Sequence, residues 1–263
     1  MLFDLQSPGR RRIIKVVYAV LAALLFVGLV GFGIGSNVSG GGLSDLFGGG
    51  GSADTSFDSE ISDAEKKLET NPKDVQARLD LVTLHLQAGN SQLDVDQSTG
   101  QTVLTSDAED SFNKAADAWD AYLKTKPAKP DSGAAMQMAG TFFLLAQNST
   151  SADDARTQVQ AAADAQQVAV DVNPSRGNLG NLAPYLYFAG DFAKADQVAA
   201  QAVAKAPKGQ QAQLQKQFDS IKQQAEAFEK QLKQEQKQGA SQGSNPLENS
   251  GGSLSGGSGL GTP

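Results

Sequence analysis

Four X-Pro pairs, each closing a stretch of helical apolar periodicity, constrain the fold of this chain more than any other feature. They are Asn71-Pro72, Lys126-Pro127, Asn173-Pro174 and Ala206-Pro207. Proline lacks the backbone N–H that a continuing helix needs, so each pair marks the end of a helix. The last two prolines are 33 residues apart, and a period of this size indicates an array of helical repeats with insertions between the earlier units. We therefore expect an all-α fold.

The segment from Asn178 to Pro207 carries the repeat most completely. The large and small residues of a packing face recur along its first helix at Leu179, Leu182, Ala183 and Leu186. Gly190 begins the turn, where glycine relieves the strain of a left-handed helix end. Small residues allow close approach of the second helix at Ala195, Ala199 and Ala202. This segment resembles a tetratricopeptide repeat (TPR), a pair of helices joined by a tight turn.

Two further segments resemble the same repeat more weakly. Residues 75–127 match it at Leu81, Val82, His85, Gly89, Ala115, Trp119 and Tyr122. Residues 134–174 match it at Met136, Ala139, Gly140, Phe143, Ala162 and Ala169. The resemblance covers about residues 58–208, including a preceding helix from Asp58 to Thr70, and implies a TPR-like α-solenoid of about three helix pairs. A solenoid this short needs capping helices at its ends.

A long helix over residues 210–238 is predicted to cap the array at its C-terminal end. Its apolar residues alternate spacings of four and three, which is a heptad seam, at Leu214, Phe218, Ile221, Ala225, Phe228 and Leu232. We expect its first half to cover the last repeat. Around Phe228 and Leu232, the helix either packs on the domain or offers a seam to a partner.

The N-terminal segment predicts a transmembrane helix. Three arginines and Lys15 precede an apolar run from Val16 to Ile34 of 19 residues, roughly 28 Å of helix, which spans a bilayer. The basic residues place the N-terminus in the cytoplasm by the positive-inside rule. A cleaved signal peptide is the competing interpretation, but its apolar region would be shorter and would end in a small-residue cleavage site.

These features divide the chain into five parts. Residues 1–12 are a cytoplasmic basic segment, 13–35 the transmembrane helix, 36–56 a Gly/Ser-rich linker, 57–238 the TPR-like domain, and 239–263 a Gly/Ser-rich tail predicted to be disordered. This order resembles the single-pass TPR ancillary subunit of the bacterial Sec translocon. It also resembles a group of actinobacterial membrane proteins that begin with Met-Leu-Phe-Asp-Leu and basic residues.

The first helices of the pairs are expected to line a concave groove. The positions expected to face it are Leu79, Thr83, Leu86, Gln87, Gln137, Thr141, Leu144, Leu145, Tyr187 and Phe188. They are neutral and largely apolar, whereas TPR adaptors that clamp a carboxylate use Lys, Arg and Asn there. Such a groove suits an amphipathic helix or an exposed hydrophobic segment. The resemblance implies holding of exported proteins at the translocon; the alternative is a scaffold for one fixed envelope or cell-wall complex.

Charge and composition argue against other functions. The net charge of −7 disfavours nucleic acid, and the absence of cysteine excludes disulfides and thiolate zinc sites. The lone histidine, His85, lies on an apolar helix face, where packing is expected in place of catalysis or metal binding. Asp94, Asp96 and Ser98 begin like a calcium loop that lacks the required Gly and Glu, so we expect a β-hairpin or ordered loop there. We expect no enzymatic activity, cofactor, metal or small-molecule substrate.

Overall fold

The computed structural model describes residues 56–95, 102–149 and 151–242, which form eight helices and one small hairpin. The helices are α1 (Ser56–Thr70), α2 (Val75–Ser91), α3 (Ser106–Lys124), α4 (Ser132–Asn148), α5 (Ala152–Val172), α6 (Arg176–Ala189), α7 (Phe192–Ala204) and α8 (Lys208–Gln242). The all-α class is confirmed. The predicted anchor, most of the linker and most of the tail lie outside the described residues. Within the described ranges, no helix combines the length and apolar character needed to cross a membrane.

Helices that follow one another in the chain pack together as pairs. The most extensive contacts join α2 to α3 and α4 to α5, and α6 contacts α5 and α7 to nearly the same extent. The pairs are stacked, because α4 also contacts α2 and α3, and α5 also contacts α6. At the two ends of the described stack, α1 packs on α2, and α8 packs on α6 and α7.

Side-chain caps set where the helices begin. At the start of each helix from α2 to α7, one side chain accepts a hydrogen bond from the backbone N–H three residues later. These caps are Asp74, Thr105, Asp131, Ser151, Ser175 and Asp191. Each cap contributes about 1 kcal/mol to helix stability. The predicted turn after α6 is confirmed, because Gly190 has a left-handed φ of 90° and Asp191 then begins α7.

The hydrophobic core consists of two clusters that share helices. One lies among α2–α5 and the other extends from the end of α4 to α8. Phe143 and Tyr185 pack against both clusters, with their ring centroids 5.7 Å apart. The positions predicted to pack in the strongest repeat are at most 2 % exposed; they are Leu179, Leu182, Ala183, Leu186, Ala195, Ala199 and Ala202.

A polar junction joins the end of α5 to the start of α6. The side-chain amide of Asn178 donates to the carbonyls of Ala169 at 3.3 Å and Asn173 at 2.8 Å. The backbone carbonyl of Asn178 accepts a hydrogen bond of 3.1 Å from the Gln166 side chain. Gln166 is only 2 % exposed, and a buried amide without a partner would cost about 1–3 kcal/mol. These bonds therefore fix how the third pair follows the second.

The insertion between α2 and α3 contains the predicted β-hairpin. Strand β1 (Asp94–Val95) pairs antiparallel with β2 (Thr102–Val103). Its base is closed by the Thr105 hydroxyl, which donates to the carbonyl of Gln92 at 2.8 Å. The Asp96 and Ser98 positions of the calcium-like sequence lie outside the described residues.

Gly89 allows α2 to approach α3 closely. A Cβ atom at this position would lie 2.5 Å from Cε1 of Phe112, and that ring is fully buried. We therefore expect Gly89→Ala to lower the free energy of unfolding by roughly 1–3 kcal/mol through overpacking. The measurement is urea denaturation of the full chain, monitored through the fluorescence of its single tryptophan, the buried Trp119.

Gly140→Ala is the matched control for this substitution. Gly140 also lies within a helix, but no atom would come within 4 Å of the added Cβ. Here alanine should raise stability by roughly 0.5–1 kcal/mol through its higher helix propensity. Equal effects of the two substitutions would contradict the close contact between Gly89 and Phe112.

Candidate protein-binding surface

Half of the predicted groove residues belong to the core. Leu86, Thr141, Leu145, Tyr187 and Phe188 are between 2 and 6 % exposed. Their assignment to an exposed groove is corrected, because the packing of neighbouring helices covers these side chains. None of the five can contact a partner while the described helices remain packed.

The other five predicted residues keep exposed surface, and all lie on α2 or α4. They are Leu79, Thr83, Gln87, Gln137 and Leu144, which we call the α2–α4 face. The two glutamines are exposed, and the remaining three side chains are half-buried. Helices α2 and α4 contact each other directly, and both leucines pack against the same core cluster. The face is therefore supported by the first two helix pairs.

None of the five residues of the α2–α4 face is charged, and helix α4 contains no charged residue. In α2 the only Asp, Glu, Lys or Arg residues are Arg78 and Asp80; Asp80 lies seven positions before Gln87 and therefore borders the face on the same side of the helix. The Thr83 hydroxyl donates to the backbone carbonyl of Leu79 at 3.1 Å, so it adds little polarity. Met136, beside Gln137, is 36 % exposed. The surface offers apolar contact and amide hydrogen bonds, which is the chemistry that an amphipathic helix uses.

Helix α8 covers the third pair, where the groove was predicted to continue. Phe228 packs on Phe188 with ring centroids 6.4 Å apart, and Phe228 is only 8 % exposed. The interpretation of Phe228 as part of a free partner seam is therefore corrected, because it belongs to the core. The side chain of Leu232 lies outside what the structure describes, and its role stays a prediction.

An arginine on α5 ties α8 to the end of α6. Nη1 of Arg156 forms an ion pair of 2.9 Å with Oε1 of Glu229, and its Nε donates to the carbonyl of Ala189 at 3.1 Å. Lys233 lies 3.5 Å from the other carboxylate oxygen of Glu229. Since Glu229 is nearly buried, removing Arg156 would leave a carboxylate without its main partner.

A second polar tether links α6, α7 and α8. Nζ of Lys222 and the hydroxyl of Tyr187 both donate to the carboxylate of Asp196, each at 2.7 Å. The pKa of Asp196 is lowered mainly by the hydrogen bond from Lys222 and, to a smaller extent, by the hydrogen bond from Tyr187. The pKa of Tyr187 is raised mainly by burial and, to a smaller extent, by its hydrogen bond to Asp196. The sequence pattern gives no signal for either tether.

His85 lies between α1, α2 and α3 and is 9 % exposed, so its predicted burial is confirmed. Among the described residues, no group of three or more His, Asp or Glu side chains is placed to hold a metal ion.

No protein-family model matches this chain, and comparison with curated proteins and with solved structures gives no match either.

The Tyr187 tether predicts a loss of stability at alkaline pH. The pKa of Tyr187 is raised above its ordinary value of 10.0, so its contribution is present below pH 10 and is lost as the pH rises further. We expect Tyr187→Phe to be about 1 kcal/mol less stable than the native protein at pH 8, with a smaller difference at pH 11. Urea denaturation at both values checks this, and a difference independent of pH would contradict it.

Proposed function

We propose that this chain is a membrane-anchored protein-binding module whose TPR-like repeats stand outside the cytoplasmic membrane and hold other proteins. The observation that carries the proposal is the α2–α4 face. It combines half-buried leucines and exposed glutamines, none of them charged, on stacked helix pairs. Stacked pairs of this kind provide extended binding surfaces in repeat proteins.

Several features of the third pair support the TPR-like assignment. A left-handed Gly190 joins α6 to α7, and the buried alanines of α7 permit close approach between the two helices. Contacts run along the chain from each pair to the next, as expected of a solenoid. Helix α8 then takes the place of the C-terminal cap that such an array requires.

The location is proposed from the N-terminal sequence. The run from Val16 to Ile34 is long enough to span a bilayer, and the arginines before it place the N-terminus inside. The Gly/Ser-rich linker at 36–56 would separate the repeats from the membrane surface. In this arrangement the α2–α4 face meets proteins that have already crossed the membrane.

The chemistry of the face favours transient binding of apolar segments. Its half-buried leucines already use part of their surface in the core, which limits the area that a partner can cover. A small neutral interface releases its partner readily, because affinity requires well-packed anchors as well as area. This suits a co-chaperone or translocon-associated protein that holds exported chains briefly.

The competing function is a scaffold for one fixed envelope or cell-wall complex. That function would use the C-terminal part of α8 as a partner seam, but the core contact of Phe228 with Phe188 occupies one of its two predicted residues. A scaffold predicts one partner in constant ratio, whereas client holding predicts many partners in weak and variable amounts.

The test introduces charge on the face without disturbing the core. In the variant Gln87→Glu/Gln137→Glu both changed side chains are exposed, so the fold should persist while an apolar segment would have to be desolvated against two carboxylates. We expect the amount of exported protein that co-purifies with the full chain after chemical crosslinking in membranes to fall by roughly tenfold, as a loss of about 1.4 kcal/mol would give.

Gln201→Glu is the control, because it makes the same exposed change on α7, away from the face. It should leave the recovered proteins unchanged. An equal yield from the face variant and the control would remove the α2–α4 face as the binding surface. A single partner retained in constant ratio would favour the scaffold.

A further inference from the structure

A second site candidate is a cleft at the N-terminal end of the described domain. It has a volume of about 540 Å³ and lies between α1, α2 and α3. Its walls include the apolar side chains of Ile61 and Leu81 together with charged residues from α1 and α3. Neither the α2–α4 face nor the tethers of α8 involve it.

His85 lines this cleft without a hydrogen-bond partner among the described residues. It is 9 % exposed, so its imidazole contacts little solvent beyond the cleft. The pKa of His85 is lowered mainly by burial and, to a smaller extent, by the positive charge of Lys114. The negative charge of Glu65 opposes this shift. The lowered pKa favours the neutral imidazole, in which one ring nitrogen is an acceptor.

The described charges that line the cleft are mainly negative. Asp58 and Glu65 come from α1 and Asp117 from α3, and Lys114 is the one Lys or Arg side chain among the described lining residues. Three carboxylates and one ammonium leave two negative charges that these residues do not balance. Two polar neighbours satisfy each other, because the Ser111 hydroxyl donates to the Gln92 side chain at 2.8 Å.

We propose that this cleft binds an arginine or lysine side chain presented by another polypeptide. The charged group would lie among the carboxylates and meet the free acceptor nitrogen of His85. Its alkyl stem would lie along Ile61 and Leu81, as the stems of long basic side chains do on apolar surfaces. The apolar wall disfavours a free polyamine, because the charges spread along a polyamine would lie against Ile61 and Leu81. A basic side chain attached to a peptide places only its uncharged stem there.

The cleft is separate from the α2–α4 face. Leu81 and His85 follow Leu79 and Thr83 by two positions along α2, which is about 200° around the helix at 100° per residue. The two surfaces therefore lie on opposite sides of α2. A partner could meet both only by passing around the helix, so the two sites can be tested independently.

The single histidine of the chain makes the site directly observable. The probe is the peptide acetyl-Ala-Arg-Ala-amide, titrated into the full chain in detergent micelles while the imidazole resonances are followed by NMR. We expect a saturable shift and a further fall in the pKa of His85, because a bound cation disfavours the imidazolium. The peptide acetyl-Ala-Gln-Ala-amide and spermidine should each bind at least about fivefold more weakly.

Paired variants separate the cleft from general surface charge. Asp117→Asn and Glu65→Gln should each weaken binding of the arginine peptide by on the order of fivefold. The controls Asp120→Asn on α3 and Glu69→Gln on α1 remove the same charge from exposed positions outside the cleft lining and should change it less than about twofold. If one cleft variant loses the fold, seen in Trp119 fluorescence, the other still provides the test.

Four outcomes would overturn the proposal. They are an unsaturable shift of His85, equal binding of the glutamine peptide, equal effects of cleft and control variants, and tighter binding of spermidine. Gln87→Glu/Gln137→Glu should leave peptide binding intact, so failure of the cleft and failure of the α2–α4 face give different results.

Discussion

Each helix pair in this chain leaves apolar surface that its own two helices do not cover, and that surface is buried against the neighbouring pair. Helix α5 contributes to both core clusters, and Phe143 and Tyr185 pack against both. The stack then needs a cover at its C-terminal end. Helix α8 supplies it with apolar residues along one face, including Phe218 and Phe228, while much of its remaining surface is polar.

The same packing between pairs explains which parts could be predicted from the sequence. Helix ends and the packing face of α6 follow from local patterns, such as the prolines and the recurrence of Leu179 and Leu182 every three or four residues. Exposure could not be predicted in this way. Phe188 enters the core because it packs on Phe228 of α8, and that contact joins residues far apart in sequence. On α2 and α4 the predicted exposure is found at Gln87 and Gln137 but not at Leu86 and Leu145, because contacts among α2–α5 bury the two leucines.

Polar contacts determine where α8 rests. Arg156 and Glu229 join it to α5, and Lys222 joins it to Asp196 on α7. These contacts pair charged side chains in the C-terminal half of the described domain. In the His85 cleft, by contrast, the acidic residues of α1 and α3 leave excess negative charge. Different surfaces of one helical stack thus have different chemistry: a neutral face on α2 and α4, and an acidic cleft on the opposite side of α2.

Cysteine labelling can show whether the helical domain lies outside the membrane and whether proteins cover the α2–α4 face there, because the native chain contains no cysteine. Single variants Gln137→Cys on the α2–α4 face and Gln201→Cys on α7 would be treated with a membrane-impermeant maleimide in intact spheroplasts. We expect both cysteines to react from outside. We also expect the cysteine at position 137 to react more slowly than the cysteine at position 201 in native membranes but equally fast in the purified protein, because bound proteins cover the face. Reaction only after the membrane is permeabilised, or an unchanged ratio of rates, would contradict these expectations.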